Sequence, residues 1–323
     1  MKTDMKYDIH AHIAGVEFDA EGNYLSKKIL RSVPFLFFTR ACGFSRRDLR
    51  EPGIDRRLAA KVAGWAESST VDRVVLLAYD AVYGEDGSID WDRTHMLVSN
   101  DYVASLAEKY DSILFGASVN PRRSDALAEL ERVAEKGACL VKWLPTGQDI
   151  DPMSADFAPF YAKLAEIGLP LLCHTGGERA VVNLNDDYNS PANLERALDC
   201  GTTVIAAHCG SRSLLWDECF MDVWLAMVER HPNLYGDISA FGLPGRAYAV
   251  RKLLSMPHAL ERLLYGSDFP VPATPLTHAG NIGFAKAFSL QRERNPFERP
   301  ARLMAEAGFG DDVFSRATGV LRV

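Results

Sequence analysis

The sequence predicts an α/β protein in which eight parallel strands alternate with helices and close into a single (β/α)8 TIM barrel. Three observations lead to this fold class: eight apolar runs rich in Val, Leu and Ile, amphipathic segments between them, and polar residues near the ends of several runs. The runs are mostly continuous rather than alternating, which is typical of strands buried on both faces. The expected strands are 5–12, 71–78, 113–120, 138–145, 169–175, 202–209, 233–239 and 262–269.

Segments with apolar residues three and four positions apart lie between these strands and predict helices. Several begin at a Ser or Asp that can cap a helix and stop at Gly or Pro. An open doubly wound sheet is the competing arrangement, but it usually shows a glycine-rich turn after its first strand, and HAHIAG is not one. The expected helices are 56–68, 99–110, 124–137, 156–168, 190–201, 216–232 and 245–257, followed by helices in the tail 296–323.

Two connections are longer than a barrel needs. Residues 13–55 form a long insertion after the first strand, and residues 79–98 form a polar connection after the second. Both follow the ends of strands, where barrels carry their active sites, so they could form a lid; ordinary surface elaboration is the alternative. We predict one domain over 1–323, because a single α/β barrel accounts for this length.

Composition excludes several classes of function. The chain has 47% hydrophobic and 24% charged residues, as ordinary globular proteins do, and a net charge of −7 without a basic block argues against nucleic acid as a partner. No apolar run reaches the ~18 residues of a membrane span, and the N-terminus has no signal-peptide core. We therefore expect a cytoplasmic protein with a small-molecule substrate and no membrane partner, and allow for a homo-oligomer. The six cysteines show no CxxC pair, and we interpret them as packing residues.

Six polar residues lie near the carboxyl ends of five predicted strands, which is the end where barrels carry the active site. Two of the six are His10 and His12, and a strand's period of two places them on one face, with Ile9 and Ala11 on the other. Burying unpaired polar groups costs about 2–7 kcal/mol each, so six unrelated core polar residues are disfavoured and a shared metal site is predicted. The six are His10 and His12 on strand one, Lys142 on strand four, His174 on strand five, His208 on strand six and Asp268 on strand eight.

These motifs together resemble the amidohydrolase superfamily of metal-dependent barrels, in particular the branch that includes aminocarboxymuconate-semialdehyde decarboxylase. The resemblance runs from DIHAH through VKWLP, CHTGG and AAHCGS to YGSDFP, nearly the whole chain. It implies that His10, His12, His174 and Asp268 are metal ligands. In binuclear members a fourth-strand lysine is carboxylated and bridges two ions, and the sixth-strand histidine binds the second ion. Lys142 and His208 occupy these places, while in mononuclear members His208 would be catalytic and Lys142 unmodified.

Lys142 could be neutral and carboxylated, or cationic and unmodified. A lysine in an apolar strand loses solvation and its pKa falls, which makes the neutral amine accessible for carboxylation. The same side chain could stay cationic and hold a substrate carboxylate or Asp268. The sequence therefore leaves open whether the site holds one ion or two.

Imidazoles and a carboxylate suit Zn²⁺ or another first-row divalent ion. Such an ion lowers the pKa of a bound water to roughly 7 and polarises a carbonyl. Asp268 would take the proton of that water and pass it to the leaving group. In a decarboxylase the same site would hold substrate oxygens, and His208 or Asp268 would protonate carbon.

Four further residues follow strand ends and are weaker candidates for substrate contacts: Arg122 and Arg123 after the third strand, Glu178 after the fifth and Arg212 after the sixth. Surface charge or helix capping is the more frequent role of such residues. The arginines hint at an anionic substrate. Asp237 on the seventh strand is a comparable candidate.

Three functions follow as hypotheses. The first is a metal-dependent hydrolase that attacks an amide, ester or lactone carbonyl, and the complete set of candidate ligands motivates it. The second is a metal-dependent, non-oxidative decarboxylase of an aromatic or unsaturated acid, which the resemblance to the decarboxylase branch motivates. The third is a non-catalytic metal- or ligand-binding barrel, since a fold does not fix a function.

Overall fold

The main sheet of the protein has eight parallel strands that neighbour one another in sequence order. The structure is a computed structural model that describes residues 4–17 and 21–323. The strands are shorter than the predicted apolar runs, because residues at the start of most runs and at the end of every run but the first lie outside the ladder. The strands are β1 Tyr7–His12, β2 Arg73–Leu77, β3 Ile113–Ala117, β4 Leu140–Trp143, β5 Leu171–Cys173, β6 Val204–Ala206, β7 Leu234–Asp237 and β8 Leu263–Leu264.

Strand β1 and the segment after β8 close the barrel through backbone hydrogen bonds. The amide of Asp268 donates to the carbonyl oxygen of His10 at 2.7 Å. The amide of His12 donates to the carbonyl oxygen of Phe269 at 2.7 Å. The predicted (β/α)8 barrel with a long insertion after its first strand is confirmed, and its closure ties two candidate ligand-bearing segments directly together.

Side chains of the strands pack in two hydrophobic clusters, one inside the barrel and one between the barrel and its helices. Leu172 and Ile205 belong to the inner cluster, and Cys173 belongs to the outer one. In β1 the pairing with β2 is irregular between Asp8 and Ala11. Ile9 therefore lies in the inner cluster while Ala11 lies in the outer one, so the expectation that both face away from the histidines is wrong for Ile9.

Helices surround the barrel and agree with most predicted segments. The side chain of Ser99 caps one of them by accepting a hydrogen bond from the amide of Tyr102, as expected for a serine at a helix start. Gly168 ends another in the left-handed conformation, with φ at 68°, which glycine adopts without strain. The helices are Lys27–Leu30, Val33–Ala41, Ile54–Glu67, Asn100–Lys109, Ala126–Glu135, Pro145–Gln148, Ala158–Ile167, Glu195–Asp199, Met221–Val228, Ala247–Leu254, Pro257–Leu260, Ala279–Ile282, Phe284–Gln291, Glu298–Ala307 and Asp311–Ser315.

Two predicted helices are wrong over part of their length. The segment 190–201 holds a 3-10 turn, Pro191–Leu194, and only then a short helix; the proline has no amide hydrogen and starts the turn instead of continuing a helix. The helix expected over 216–232 begins at Met221 because the amide of Phe220 donates to the carbonyl oxygen of Gly210 at 2.8 Å. That bond ties residues before the helix to the loop after β6.

The two long connections meet above the barrel mouth. Strand residues Tyr24–Leu25 pair antiparallel with Met96–Leu97, and the amide of Ser26 donates to the carbonyl oxygen of His95 at 2.9 Å. We call residues 21–55 the canopy; residues 18–20 of the insertion lie outside the described part of the chain. The canopy places the helix Val33–Ala41 over the site, as a lid would be placed.

Among the described helices, none combines the length and the hydropathy that crossing a membrane requires. All six cysteines are free thiols. Four of them are buried, in line with their interpretation as packing residues.

Gly266 allows β1 and the segment after β8 to approach each other. A Cβ atom at this position would lie 2.7 Å from the Cβ of His10 and 3.1 Å from the Cβ of Ser239. We expect Gly266→Ala to lower the free energy of unfolding by about 1–3 kcal/mol, the usual effect of an overpacked methyl group, and to shift His10. Urea denaturation followed by circular dichroism measures the change.

A matched control is Gly64→Ala in the helix Ile54–Glu67. A Cβ atom there meets nothing within 4 Å, and alanine favours a helix over glycine by about 1 kcal/mol. The control is expected to be as stable as the parent protein or more so. If Gly266→Ala unfolded at the same urea concentration as the parent protein, the close approach at Gly266 would be disproved.

Candidate metal centre

Imidazole and carboxylate groups from β1 and from the loop after β8 converge at the carboxyl end of the barrel. The Nε2 atoms of His10 and His12 are 3.1 Å apart. Oδ1 of Asp268 lies 3.3 Å from the first of these atoms and 3.4 Å from the second. One ligand atom from each of these residues lies within 4.8 Å of the other two, so the set could hold a metal ion.

The hydrogen bonds of His10 direct its free nitrogen toward this set. Its Nδ1 lies 2.8 Å from Oδ2 of Asp237, so the Nδ1 hydrogen is donated to the carboxylate and Nε2 keeps its lone pair. Burial, and then the charge of Lys142, lower the pKa of His10 to about 4, which keeps the ring neutral. A neutral imidazole that offers a lone pair to a neighbouring imidazole and a carboxylate fits a divalent cation.

His174 lies directly after β5 and lines the same cavity as His12 and Asp268. Its Nε2 is buried and has no hydrogen-bond partner among the residues that the structure describes, although Oε2 of Glu178 lies 3.6 Å away. Burial lowers the pKa of His174 well below its usual value. The compact set of possible ligands does not include His174. Burying a nitrogen without a hydrogen-bond partner destabilises the fold, and binding to a metal ion would remove that cost. This supports a place for His174 at the ion.

His208 does not lie on a strand, contrary to the prediction. Strand β6 ends at Ala206, and His208 adopts a left-handed conformation with φ at 60° in the turn that follows. Its amide donates to Oδ1 of Asp237 at 2.8 Å, and its Nδ1 lies 2.8 Å from the hydroxyl oxygen of Ser239. These bonds hold the ring so that Nε2 lies 3.9 Å from Oδ2 of Asp268.

Cys209 follows His208 in the same turn. This residue is also left-handed, with φ at 50°, so a strand's period of two does not apply to it. Its side chain nevertheless packs in the outer hydrophobic cluster. Burial raises the pKa of its thiol well above the usual value, in line with the interpretation of Cys209 as a packing residue.

Asp268 adopts a left-handed conformation with φ at 61°. Left-handed backbone costs roughly 1–2 kcal/mol for a residue other than glycine, and such strain gathers at functional sites. Burial alone would raise the pKa of this carboxyl group, but the facing His10 and His12 bring the pKa well below its usual range. Asp268 is therefore ionised and can act as a ligand or as a base.

Lys142 lies in β4 and is buried, with its Nζ atom 3.2 Å from Nε2 of His10. Burial lowers the pKa of the amine, while Asp237 and Asp268 oppose that shift. The structure thus brings Lys142 to the cluster as predicted. An amine in this place can remain unmodified or carry a carboxylate.

Asp237, at the end of β7, supports the cluster from beneath. Besides His10 and His208 it accepts a hydrogen bond from the amide of Ser239 at 3.0 Å and one from the Ser239 hydroxyl. His10, His208 and Asp237 form a second set with ligand atoms within 4.8 Å. Since their Nδ1 and carboxylate atoms already bond one another and Ser239, we interpret this second set as support for the first.

Sequence reasoning missed two further buried charged groups. Asp8 accepts hydrogen bonds from the amides of His10 at 3.1 Å and Ser267 at 2.9 Å, and burial raises its pKa to about 7. Its position two residues before His10 was the available signal. Arg246 is buried, donates to the carbonyl oxygen of Gly177 at 3.3 Å, and has a pKa that burial lowers. It ends the 3-10 turn Pro244–Arg246, within the predicted helix 245–257, whose apolar pattern does not mark it as a site residue.

The site lies at the floor of an apolar cavity of about 170 Å³. His12, His174, Glu178 and Asp268 are among the lining residues at the floor. The remaining walls are mainly apolar side chains of the canopy and of the loops after β1 and β8.

The weaker substrate candidates divide into two groups. Glu178 lines the cavity, whereas the three arginines are absent from its lining. Arg122 stacks over Phe157 at 5.8 Å and Arg212 over Tyr248 at 4.6 Å. Arg123 donates to Asp125 at 2.8 and 2.9 Å and to Tyr83 at 3.0 Å, contacts that stabilise a loop.

A barrel with imidazole and carboxylate groups gathered at its carboxyl mouth is the architecture of the amidohydrolase superfamily of enzymes. A family model described as Amidohydrolase matches residues 7–302, and the chain therefore belongs to this family. The predicted resemblance is confirmed. Members of the superfamily bind divalent metal ions, and the cluster described above offers groups that could bind one.

Solved structures with the same barrel share little sequence with the chain, so the likeness is one of fold. An uncharacterised TIM-barrel protein from Bordetella bronchiseptica has a TM-score of 0.58 and 20% identity, over 94% of this chain and 99% of its own. A 5-carboxyvanillate decarboxylase from Sphingomonas paucimobilis has a TM-score of 0.53 and 14% identity, over 97% and 99%. A probable 2-pyrone-4,6-dicarboxylic acid hydrolase from Acinetobacter baumannii, with citric acid bound, has a TM-score of 0.52 and 14% identity, over 93% and 99%. No curated protein matches the sequence significantly.

Proposed function

We propose that the protein is a metal-dependent hydrolase that cleaves an amide, ester or lactone bond of a small molecule. The proposal rests on the two oxygens of Asp268. Oδ1 lies 3.3 and 3.4 Å from the Nε2 atoms of His10 and His12, and Oδ2 lies 3.9 Å from Nε2 of His208. A carboxylate in this position can take a proton from an attacking water at one oxygen and deliver it to the leaving group at the other.

The donor set is suited to Zn²⁺, which we propose as the resident ion. His10, His12, His174 and Asp268 would hold it, since neutral imidazoles and a carboxylate are ligands that zinc prefers. When bound, the ion supplies Lewis acidity for the scissile carbonyl and lowers the pKa of water. Lys142 and His208 would hold a second ion if Lys142 is carboxylated.

Residues around the ligands have supporting roles in this proposal. Asp237 fixes the tautomer of His10 through the 2.8 Å bond to Nδ1. Ser239 holds the ring of His208, which leaves Nε2 free to exchange a proton with Asp268 or the leaving group. The canopy limits the access of bulk water to the cavity floor.

A non-oxidative decarboxylase of an aromatic or unsaturated acid is the second candidate. The placement of His208 favours it, because an imidazole held 3.9 Å from Asp268 could carry a proton to a substrate carbon. The barrel is similar both to a probable pyrone hydrolase and to a carboxyvanillate decarboxylase. At such low identity these likenesses favour neither reaction.

Metal removal combined with a substrate panel tests the proposal. The panel contains phenyl acetate, dihydrocoumarin and acetanilide for hydrolysis, and aromatic acids for release of carbon dioxide. Since a Lewis acid supplies several kcal/mol of transition-state stabilisation, verified removal of the metal is expected to slow hydrolysis by about 100-fold or more. Added Zn²⁺ is expected to restore the rate, and elemental analysis gives the metal content of each sample.

The control is the same protein treated with a chelator that is already saturated with Zn²⁺. An unchanged rate of hydrolysis by protein shown to be free of metal would contradict the proposal. Carbon dioxide release without hydrolysis of any panel member would replace it with the decarboxylase. Tight metal binding without turnover would instead indicate a non-catalytic barrel.

A further inference from the structure

The walls of the cavity are built from apolar side chains. Phe35 and Phe38 reach it from the canopy helix, and Val181 reaches it from the loop after β5. Its volume of about 170 Å³ is close to the roughly 150 Å³ of an engineered apolar cavity that binds benzene. The space beside the site therefore accommodates an apolar group about the size of one ring.

The charged groups that line this cavity are carboxylates. They are Asp55, Glu178 and Asp268, and no described Lys or Arg lines it. Asp55 accepts hydrogen bonds from the amides of Val16 and Glu17, which hold its carboxyl group in the wall. An anionic group on the substrate would meet apolar surface and the carboxyl group of Asp55 on the walls, and no lysine or arginine among the described lining residues.

The two nearest buried cations, Lys142 and Arg246, lie behind the lining of the cavity and not in it. Lys142 contacts His10 beneath the cavity floor, at 3.2 Å, and does not line the cavity. Arg246 donates to the carbonyl oxygen of Gly177 and is also absent from the lining. The positive charge of a divalent ion would lie at the floor, where the reacting carbonyl binds, and not at the walls.

We propose that the substrate is a neutral ester, lactone or amide with an apolar, ring-sized body, and that the cavity rejects molecules carrying a carboxylate on that body. This rests on the proposed function and names the substrate class for the same site. It replaces the anionic substrate that Arg122, Arg123 and Arg212 suggested. A carboxylate moved into such a cavity loses its hydration without gaining a cationic partner.

Two ketones that cannot be hydrolysed test this preference. Acetophenone and 4-acetylbenzoate differ by one carboxylate at the far end of the ring, and ligand-observed NMR titration of the zinc-loaded protein gives both dissociation constants. Acetophenone is expected to bind at least ~30-fold more tightly, because the charged analogue must be desolvated without a partner. Equal or tighter binding of 4-acetylbenzoate would overturn the inference.

A variant pair on one helix locates the effect. Phe38→Arg places a cation in the cavity wall, and the helix Val33–Ala41 has no fully buried residue that the change would disturb. The binding preference for acetophenone is expected to fall at least ~10-fold, as a new ion pair offsets desolvation of the carboxylate. Phe37→Arg is the control, because Phe37 is 54% exposed and does not line this cavity. An equal change in both variants would show that Phe38 does not form the wall.

Rates of hydrolysis distinguish the proposed substrate class from the proposed hydrolase activity. Hydrolysis of phenyl acetate well ahead of 4-acetoxybenzoate supports both proposals. Faster hydrolysis of 4-acetoxybenzoate keeps the hydrolase and overturns the substrate class. If acetophenone bound preferentially but no ester were hydrolysed, the proposed hydrolase activity would be wrong and the proposed specificity of the cavity would still be supported.

Discussion

Asp268→Asn is expected to lower kcat by about 1,000-fold, because asparagine keeps the shape of the side chain but cannot accept a proton, and positioned acid–base groups contribute 10²–10⁴-fold. The carboxylate faces His10, His12 and His208 within 3.3–3.9 Å, so no other group among the described residues duplicates its place. Steady-state hydrolysis of phenyl acetate in saturating Zn²⁺ measures the effect. Metal content is determined on the same samples, so that loss of the ion and loss of the base are distinguished.

The control for this variant is Asp222→Asn. The side chain of Asp222 is 82% exposed and pairs with Lys252 on the protein surface. Such exposed pairs contribute little, and the control should keep the parent kcat and stability. If Asp268→Asn retained kcat within a factor of about 10 while Zn²⁺ remained bound, the role of Asp268 as the base would be wrong.

Asp237→Asn is expected to weaken Zn²⁺ binding by about 10–100-fold and to lower kcat/KM by a similar factor, the usual result of removing a carboxylate that orients a ligand histidine. The carboxylate accepts hydrogen bonds from His10, His208 and Ser239. An amide has a single acceptor oxygen and cannot accept all of them. His10 is then free to turn its protonated nitrogen toward the ion.

Competition with a coloured zinc chelator measures the affinity directly, without any assay of turnover. Ser239→Ala is the matched comparison, because it removes a neighbouring donor but leaves the bond between Asp237 and His10. It should weaken Zn²⁺ binding less than Asp237→Asn does. Unchanged affinity in Asp237→Asn would mean that His10 needs no carboxylate to be oriented, or that it does not bind the ion.

The barrel could be predicted from the sequence because its strands are buried on both faces and appear as continuous apolar runs. The positions of His10, His12, Lys142 and Asp268 near strand ends were enough to predict that they meet. Such positions depend on the succession of apolar runs along the chain, which the sequence shows, and on the common direction of the strands, which the alternation with helices predicts.

The remaining parts of the site depend on contacts between residues far apart in the chain. His208 leaves its strand because Asp237 and Ser239 bind its backbone and ring. The role of Asp237 depends on a bond to a residue 227 positions away. Sequence spacing also does not show which way a loop residue faces, and for this reason Arg122 and Arg212 suggested a charge that the cavity does not contain.

The structure of the canopy also depends on contacts between residues far apart in the chain. Residues 13–55 and 79–98 were recognised as long connections, but their antiparallel pairing through Tyr24–Leu25 and Met96–Leu97 could not be inferred from composition. That pairing places an aromatic helix above the candidate metal centre. The specificity proposed for the cavity therefore depends on structure that the sequence pattern does not reveal.

The position of bound zinc shows whether His10, His12 and Asp268 are its ligands. Crystals of the zinc-loaded protein, measured at energies on both sides of the zinc absorption edge, give an anomalous map. We expect a zinc peak in contact with Nε2 of His10, Nε2 of His12 and Oδ1 of Asp268, with His174 close by. A zinc peak held instead by His10, His208 and Asp237, or hydrolysis by crystals with no zinc peak at the barrel mouth, would contradict this expectation.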